Sequence, residues 1–179
     1  MTKLCELAIK WACDKTPQIR HGYTPYYHQL LQNRPIQRLL EIGVGGGASL
    51  HMWQEYFPQA AIFGLDIQPR FIFNEGHIQT RLCDAANSSE LKAAADEFGG
   101  NFDLIIDDGS HFPDHQILAF ETLFSFLAPA GIYVIEDIPD PDAVSARIQP
   151  AHEVHRFDSV PPPLLDDNLI VIFDTREQS

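Results

Sequence analysis

The sequence predicts an α/β fold: a doubly wound, mostly parallel sheet that ends in an antiparallel edge hairpin. Three observations predict it. Short apolar runs alternate with helical patterns from Arg38 to Asp137, the signature of βαβ units whose strands are covered on both faces. The first of these runs, Leu39-Leu40-Glu41-Ile42, passes straight into the glycine-rich turn Gly43-Val44-Gly45-Gly46-Gly47 and then into a helix. After Asp137 two further strand patterns follow with no long helix between them, which favours an antiparallel pair at the edge.

The elements follow in order. Leu4 to Ala12 reads as a short amphipathic helix, broken by Asp14-Lys15-Thr16-Pro17, and Tyr23 to Asn33 as a second helix stopped by Pro35. Arg38 to Ile42 is a strand, Ser49 to Phe57 a helix, Ala61 to Asp66 a second strand and Ile78 to Cys83 a weaker third. Ser89 to Phe98 is an Ala-rich helix, Phe102 to Asp107 a buried strand, His115 to Leu127 a helix and Gly131 to Asp137 the next strand. Pro139 to Pro150 is rich in Pro and Asp and holds at most a short helix. Glu153 to Ser159 alternates as a half-exposed strand, Pro161-Pro162-Pro163 is a rigid connector, and Asn168 to Asp174 is the last strand.

At 179 residues the chain reads as one domain, large enough for a sizeable core. An apolar fraction of 45% excludes a disordered chain. A net charge of −13 argues against non-specific binding to nucleic acid or to an anionic membrane surface, since both need a cationic footprint. The cysteines Cys5, Cys13 and Cys83 are odd in number and widely spaced, so neither a disulfide framework nor a zinc site is expected. With no secretory pattern and no apolar run near the ~20 residues that span a bilayer, the expected location is the cytoplasm. Homo-oligomerisation stays open.

A glycine turn between strand and helix lets a ligand approach the backbone, where free N–H groups and the positive helix end favour an anionic or polar group. Gly43, Gly45 and Gly47 supply that turn. Glu41, two residues earlier, can turn into the cleft, and Asp66, at the end of the second strand, suits a pair of ribose hydroxyls. Gly43-x-Gly45-x-x-Ala48 also fits the dinucleotide fingerprint, so spacing alone leaves the cofactor open. The spacing Glu41-x-Gly43-x-Gly45-x-Gly47 resembles the first motif of class I S-adenosylmethionine-dependent methyltransferases. By that resemblance Glu41 lies near the methionine portion, Asp66 holds the ribose, and Asp84 takes the place of the adenine-contacting acid.

Asp107-Asp108 and Glu136-Asp137 end consecutive strands, and neighbouring strand tips lie about 5 Å apart. Carboxylates from both tips can converge on a hard cation such as Mg²⁺. His111, three residues past Asp108, falls on the loop beside them as a candidate general base. A glycine-turn strand beside the Asp108 strand, both at the centre of the sheet, would bring cofactor and cation to one cleft.

Longer motifs narrow the resemblance. Leu39-Leu40-Glu41-Ile42-Gly43-Val44-Gly45-Gly46-Gly47-Ala48-Ser49-Leu50-x-Met52-Trp53, Phe63-Gly64-Leu65-Asp66-Ile67, Asp107-Asp108-Gly109-Ser110-His111 and Tyr133-Val134-Ile135-Glu136-Asp137 are similar to the macrolide sugar O-methyltransferases of the macrocin and mycinamicin type. So are Asp14-Lys15 and His21-Gly22-Tyr23. The resemblance implies Asp108, Glu136 and Asp137 as Mg²⁺ ligands, His111 as general base, and Lys15 and Tyr23 as residues closing the cofactor pocket. It implies residues 1–37 as a helical segment capping the cofactor cleft on a Rossmann-like core, 38–179. The implied activity is transfer of a methyl group from S-adenosylmethionine to a hydroxyl of a small molecule, a natural-product sugar or vicinal diol. One departure stands out: Ile138-Pro139-Asp140-Pro141-Asp142 replaces the aromatic, Ser/Thr-containing segment with which that group shapes its acceptor pocket. The alternatives are a nicotinamide-type oxidoreductase and a non-catalytic module that keeps the fold and binds the cofactor.

Overall fold

The structure, a computed structural model, describes residues 1–157 and 167–175. Two helices, α1 (Lys3–Lys10) and α2 (Tyr23–Leu31), precede the sheet. Then come β1 (Arg38–Ile42), α3 (Ala48–Tyr56), β2 (Ala61–Asp66), β3 (Asn74–Glu75), β4 (Ile78–Leu82), α4 (Ser88–Phe98), β5 (Phe102–Asp107) and α5 (Pro113–Leu123). The chain continues with β6 (Leu127–Glu136), α6 (Pro141–Ser145), β7 (His152–Arg156) and β8 (Asn168–Phe173). Among the described residues these strands form one eight-stranded sheet, ordered β3-β4-β2-β1-β5-β6-β8-β7. The strands from β4 to β6 in that order are parallel; β3, β8 and β7 join antiparallel.

Helices cover both faces because alternate residues of each inner strand face opposite ways. Leu39, Leu104 and Val134 pack under Leu4, Tyr27 and Trp53 on one face, while Leu40, Ile105 and Ile135 pack with Leu91, Ile117 and Phe120 on the other. Strand order reverses at β1, with β2 on one side and β5 on the other, which opens a crevice at the carboxyl ends. Register puts the chemistry there: Ile42 pairs with Leu65 and with Asp107, and Asp107 with Ile135. Gly43, Asp66, Asp108 and Glu136 therefore sit along one edge. Among the described residues no helix is long and apolar enough to cross a membrane.

Three segments differ from the sequence reading. The helix expected to run to Leu127 ends at Leu123, and a 3-10 turn, Phe124–Phe126, leads into β6. That strand starts at Leu127 because an irregularity near Ala130, at φ +62°, shifts the register between Phe102 and Leu104 and lets pairing begin early. The Asn74–Glu75 strand leaves no sequence signal: two residues carry no periodicity, and the turn is held by Asn74 Oδ1, which accepts from the Thr80 N–H at 3.0 Å. The strand expected through Ser159 is observed as His152–Arg156; the Pro161-Pro162-Pro163 connector lies outside the described residues.

The turn after β1 is the tightest point of the crevice. Gly43 has φ +91°, and a Cβ there would stand 2.0 Å from the Asp108 carbonyl oxygen. Gly45 has φ +49°, and a Cβ there would meet nothing within 4 Å. Gly45→Ala is expected to cost about 1–2 kcal/mol, the left-handed penalty alone. Gly43→Ala adds the backbone clash and should cost more than about 4 kcal/mol, or prevent folding. Thermal denaturation of the two variants checks this ordering; equal losses would refute it.

Candidate active site

Two adjoining cavities open along the carboxyl edge, and Gly43, Asp66 and Gly109 line both. The larger, about 450 Å³, is also lined by Lys15, Gly45, Asp108, His111 and Asp137. The smaller, about 200 Å³, is lined by Ile67, Asp84, Ser110 and His115.

Asp66 closes the glycine turn. Its Oδ2 accepts from the backbone N–H groups of Val44 and Gly45, each at 3.0 Å, and its Oδ1 from that of Gln68 at 2.7 Å. It remains on the wall of both cavities, between the glycine turn and Asp84. Asp84 is held by the Ala86 N–H, which donates to Oδ1 at 2.9 Å. Gly47 ends the turn as the N-cap of α3, at φ +81°.

Glu41 does not turn into the cleft. It is 0% exposed and accepts from Ser49 Oγ at 2.5 Å and Trp53 Nε1 at 2.7 Å. Ser49 and Trp53 are one helical turn apart on α3, so this carboxylate pins the helix to β1. Burial pushes Glu41 up to about 7, against the opposing pull of Lys15.

Lys15 reaches the acidic edge from the N-terminal segment. Its ammonium donates to Asp108 Oδ2 at 2.5 Å and to Glu136 Oε2, and lies 3.9 Å from Glu41 Oε1. Burial alone would push this amine down; Asp108, Glu136 and Glu41 outweigh it and hold the amine well above the usual lysine range. Tyr23 Oη donates to Asp137 Oδ1 and Tyr27 Oη to Glu136 Oε1 at 2.5 Å. Burial, with Asp137 and Glu136 adding to it, pushes the Tyr23 phenol far above its ordinary range.

Ligand atoms of Asp108, His111 and Asp137 all lie within 4.8 Å of one another. His111 Nε2 stands 3.2 Å from Asp108 Oδ1 and 3.8 Å from Asp137 Oδ2. Both His111 and Asp137 adopt left-handed backbone conformations, φ +59° and +51°, an uncommon cost for non-glycine residues that recurs at functional sites. The hydrogen bond to Asp108 raises the His111 imidazole, and Lys15 and His111 together hold Asp108 below the usual carboxylate range despite its burial. Burial and the facing Asp108 raise Asp137. The donor set of carboxylate oxygens at a cavity wall fits a hard divalent cation. The structure does not bring Glu136 into this cluster: it is 1% exposed, and Lys15 and Tyr27 take both of its oxygens.

Sequence reasoning gave no role to several residues of this network. Tyr27 follows Tyr23 by one helical turn on α2, a spacing that puts both phenols on one face and could have revealed it. His21 stacks on Tyr23 with ring centroids 4.9 Å apart, and its Nδ1 is 3.1 Å from Asp167 Oδ1 and 3.5 Å from Asp137 Oδ1. Asp167 comes from the far side of the chain, and no local pattern announces it.

The chain is 41% identical over 145 residues to the 8-demethyl-8-(2-methoxy-alpha-L-rhamnosyl)-tetracenomycin-C 3'-O-methyltransferase of Streptomyces olivaceus, covering 75% of this chain and 36% of that protein. It is 40% identical over 144 residues to the mycinamicin VI 2''-O-methyltransferase of Micromonospora griseorubida, with the same coverages. This chain is a homologue of the macrocin- and mycinamicin-type sugar O-methyltransferases. Among solved structures, the MycE methyltransferase of the mycinamycin biosynthetic pathway, in complex with Mg, SAH and mycinamycin VI, superposes with a TM-score of 0.76 at 28% identity. That match covers 96% of this chain and 54% of MycE. No protein-family model matches the chain. The chain spans just over a third of the length of these curated relatives, 36%.

Asp107, beside the cluster in sequence, lines neither cavity. It is 2% exposed, its Oδ1 accepts from the Gly109 N–H at 3.2 Å, and its Oδ2 has no hydrogen-bond partner among the described residues. Burial pushes it up to about 7. The folded state thus holds this proton more tightly than the unfolded chain, whose aspartates titrate near about 3.9. Its penalty is absent below that value, grows as pH rises, and is complete above about 7. Asp107→Asn should raise stability by about 1–3 kcal/mol at about pH 8 and by little at about pH 4. Denaturant unfolding at the two pH values checks it; a loss at the higher pH would refute it.

Proposed function

We propose that this chain is the catalytic methyltransferase unit of a Mg²⁺-dependent sugar O-methyltransferase. It transfers the methyl group of S-adenosylmethionine to a hydroxyl of a small molecule, a sugar of a natural product or another vicinal diol. One observation carries the reading: Asp108, His111 and Asp137 meet within 4.8 Å, on the wall of a cavity whose other wall is the glycine turn. The homologues named above favour the S-adenosyl reading of that turn over the dinucleotide one.

In this reading the backbone of Gly43 and Gly45 lines the donor's path, Gly47 starts α3 behind it, and Asp66 lies toward the ribose and Asp84 toward the adenine. Glu41 acts indirectly, by fixing α3 behind the turn. Residues 1–37 cap the cleft; Cys13, Asp14 and Lys15 already form part of its wall. Asp108 and Asp137 would hold Mg²⁺; Glu136, bonded to Lys15 and Tyr27, would have to leave Lys15 to join them. Bound there, the ion would lower the pKa of a hydroxyl that touches it. His111 has Nε2 turned to Asp108, so Nδ1 is the nitrogen that takes the hydroxyl proton, and Asp108 steadies the imidazolium. Tyr23 and His21 keep Asp137 from swinging away. The rest of the acceleration comes from holding acceptor and donor in line. The free, buried thiols of Cys5, Cys13 and Cys83 suit a cytoplasmic setting.

Calorimetric titration tests the donor site. The wild type should bind S-adenosylhomocysteine, and Asp66→Ala should weaken it by at least about tenfold, the worth of one charge-assisted hydrogen bond. Unchanged affinity in the variant, or tight NAD binding with none for S-adenosylhomocysteine, refutes the assignment. A panel of vicinal diols and deoxysugar glycosides tests the base: His111→Ala should lower turnover by about 10²–10⁴-fold while S-adenosylhomocysteine affinity holds. Full turnover in that variant removes His111 from the role.

A further inference from the structure

Lys15 is the one buried lysine or arginine among the described residues, at 2% exposure. Each carboxylate it touches is shared. Asp108 gives Oδ2 to the ammonium, at 2.5 Å, and Oδ1 to the cluster with His111, at 3.2 Å. Glu136 gives Oε2 to Lys15 and Oε1 to Tyr27. A divalent ion bound to Asp108 and Asp137 would therefore sit one carboxylate away from a buried positive charge, where little water screens the repulsion.

We propose that Lys15 is a positioning residue, the internal counter-ion of the acidic edge. It holds Asp108 and Glu136 in register without a divalent ion, and it competes with that ion for the same carboxylates. The ion then binds weakly and reversibly, and Glu136 reaches it only by leaving Lys15. This role differs from the cofactor-pocket closure that resemblance implies for Lys15, and it rests on the metal reading given above.

The experiment is Mg²⁺ titration by calorimetry, with melting curves in the presence and absence of Mg²⁺, on the whole chain and on Lys15→Gln, Lys15→Met and Lys15→Arg. The two neutral variants should melt lower than wild type without Mg²⁺, bind Mg²⁺ at least about tenfold more tightly, and show a larger Mg²⁺-induced rise in melting temperature. Lys15→Arg, which keeps the charge, should bind Mg²⁺ within about threefold of wild type. A lysine with only a structural role would lower the melting temperature and leave Mg²⁺ affinity alone. If the neutral variants do not fold by themselves, millimolar Mg²⁺ should rescue them; no rescue overturns the proposal. So does a folded Lys15→Gln that binds Mg²⁺ no more tightly than wild type. Lost S-adenosylhomocysteine binding with unchanged Mg²⁺ affinity also overturns it, and returns Lys15 to the cofactor pocket. If neither the wild type nor the neutral variants bind Mg²⁺, the metal reading fails as well, which separates the two failures.

Discussion

Carboxylates from three adjacent strand ends, Glu41, Asp108 and Glu136, converge on the buried ammonium of Lys15, and of the three only Asp108 also meets the cavity. Taking such charges out of water is costly, and the arrangement holds only while each partner is present. The N-terminal segment is thereby tied to the sheet at one point by charge and at two more by the phenols of Tyr23 and Tyr27. Removing the segment would strip Glu136 of both its partners and open the acidic edge to water. The acidic edge and its N-terminal cover are therefore one unit, although more than ninety residues separate Lys15 from Asp108 (93).

The same edge couples the two halves of the cleft. The Asp108 N–H donates to the Ile42 carbonyl at 2.9 Å, and the Gly43 N–H donates to the Leu65 carbonyl at 2.8 Å. The glycine turn and the acidic loop thus lie back to back, with no room for a side chain at Gly43. A change in one loop is felt in the other through backbone contact. In the proposed reading, a methyl donor on the glycine turn and a hydroxyl at the acidic loop would share one cavity, which in-line transfer requires.

Much of this was legible in the sequence. The alternation of apolar runs and helical patterns determines the parallel strands, since strands buried on both faces have few other ways to fold. Strand tips rich in Asp and Glu announce the edge, and the antiparallel finish follows from the missing crossover helix. What stayed hidden has physical causes. The orientation of Glu41 depends on two donors one turn apart on α3, and nothing in the strand says which face will bind. Glu136 looks like a ligand by position, yet a lysine and a tyrosine from the N-terminal segment hold it. The Asp167–His21 contact links residues 146 positions apart, beyond any local pattern. The register shift near Ala130, where Phe102 pairs with Leu127 but Leu104 with Ile132, has no periodic signature in an otherwise ordinary strand.

In the proposed reading, Asp108 and Asp137 hold a divalent cation facing the glycine turn. Anomalous diffraction from crystals grown with Mn²⁺ and S-adenosylhomocysteine tests it most directly, because Mn²⁺ accepts the same oxygen ligands and reveals its own position. The account predicts one strong peak within bonding distance of Asp108 and Asp137, with His111 beside it and the sulfur of the bound product across the cleft. A peak elsewhere, or none at the carboxylates with the product in place, would contradict it.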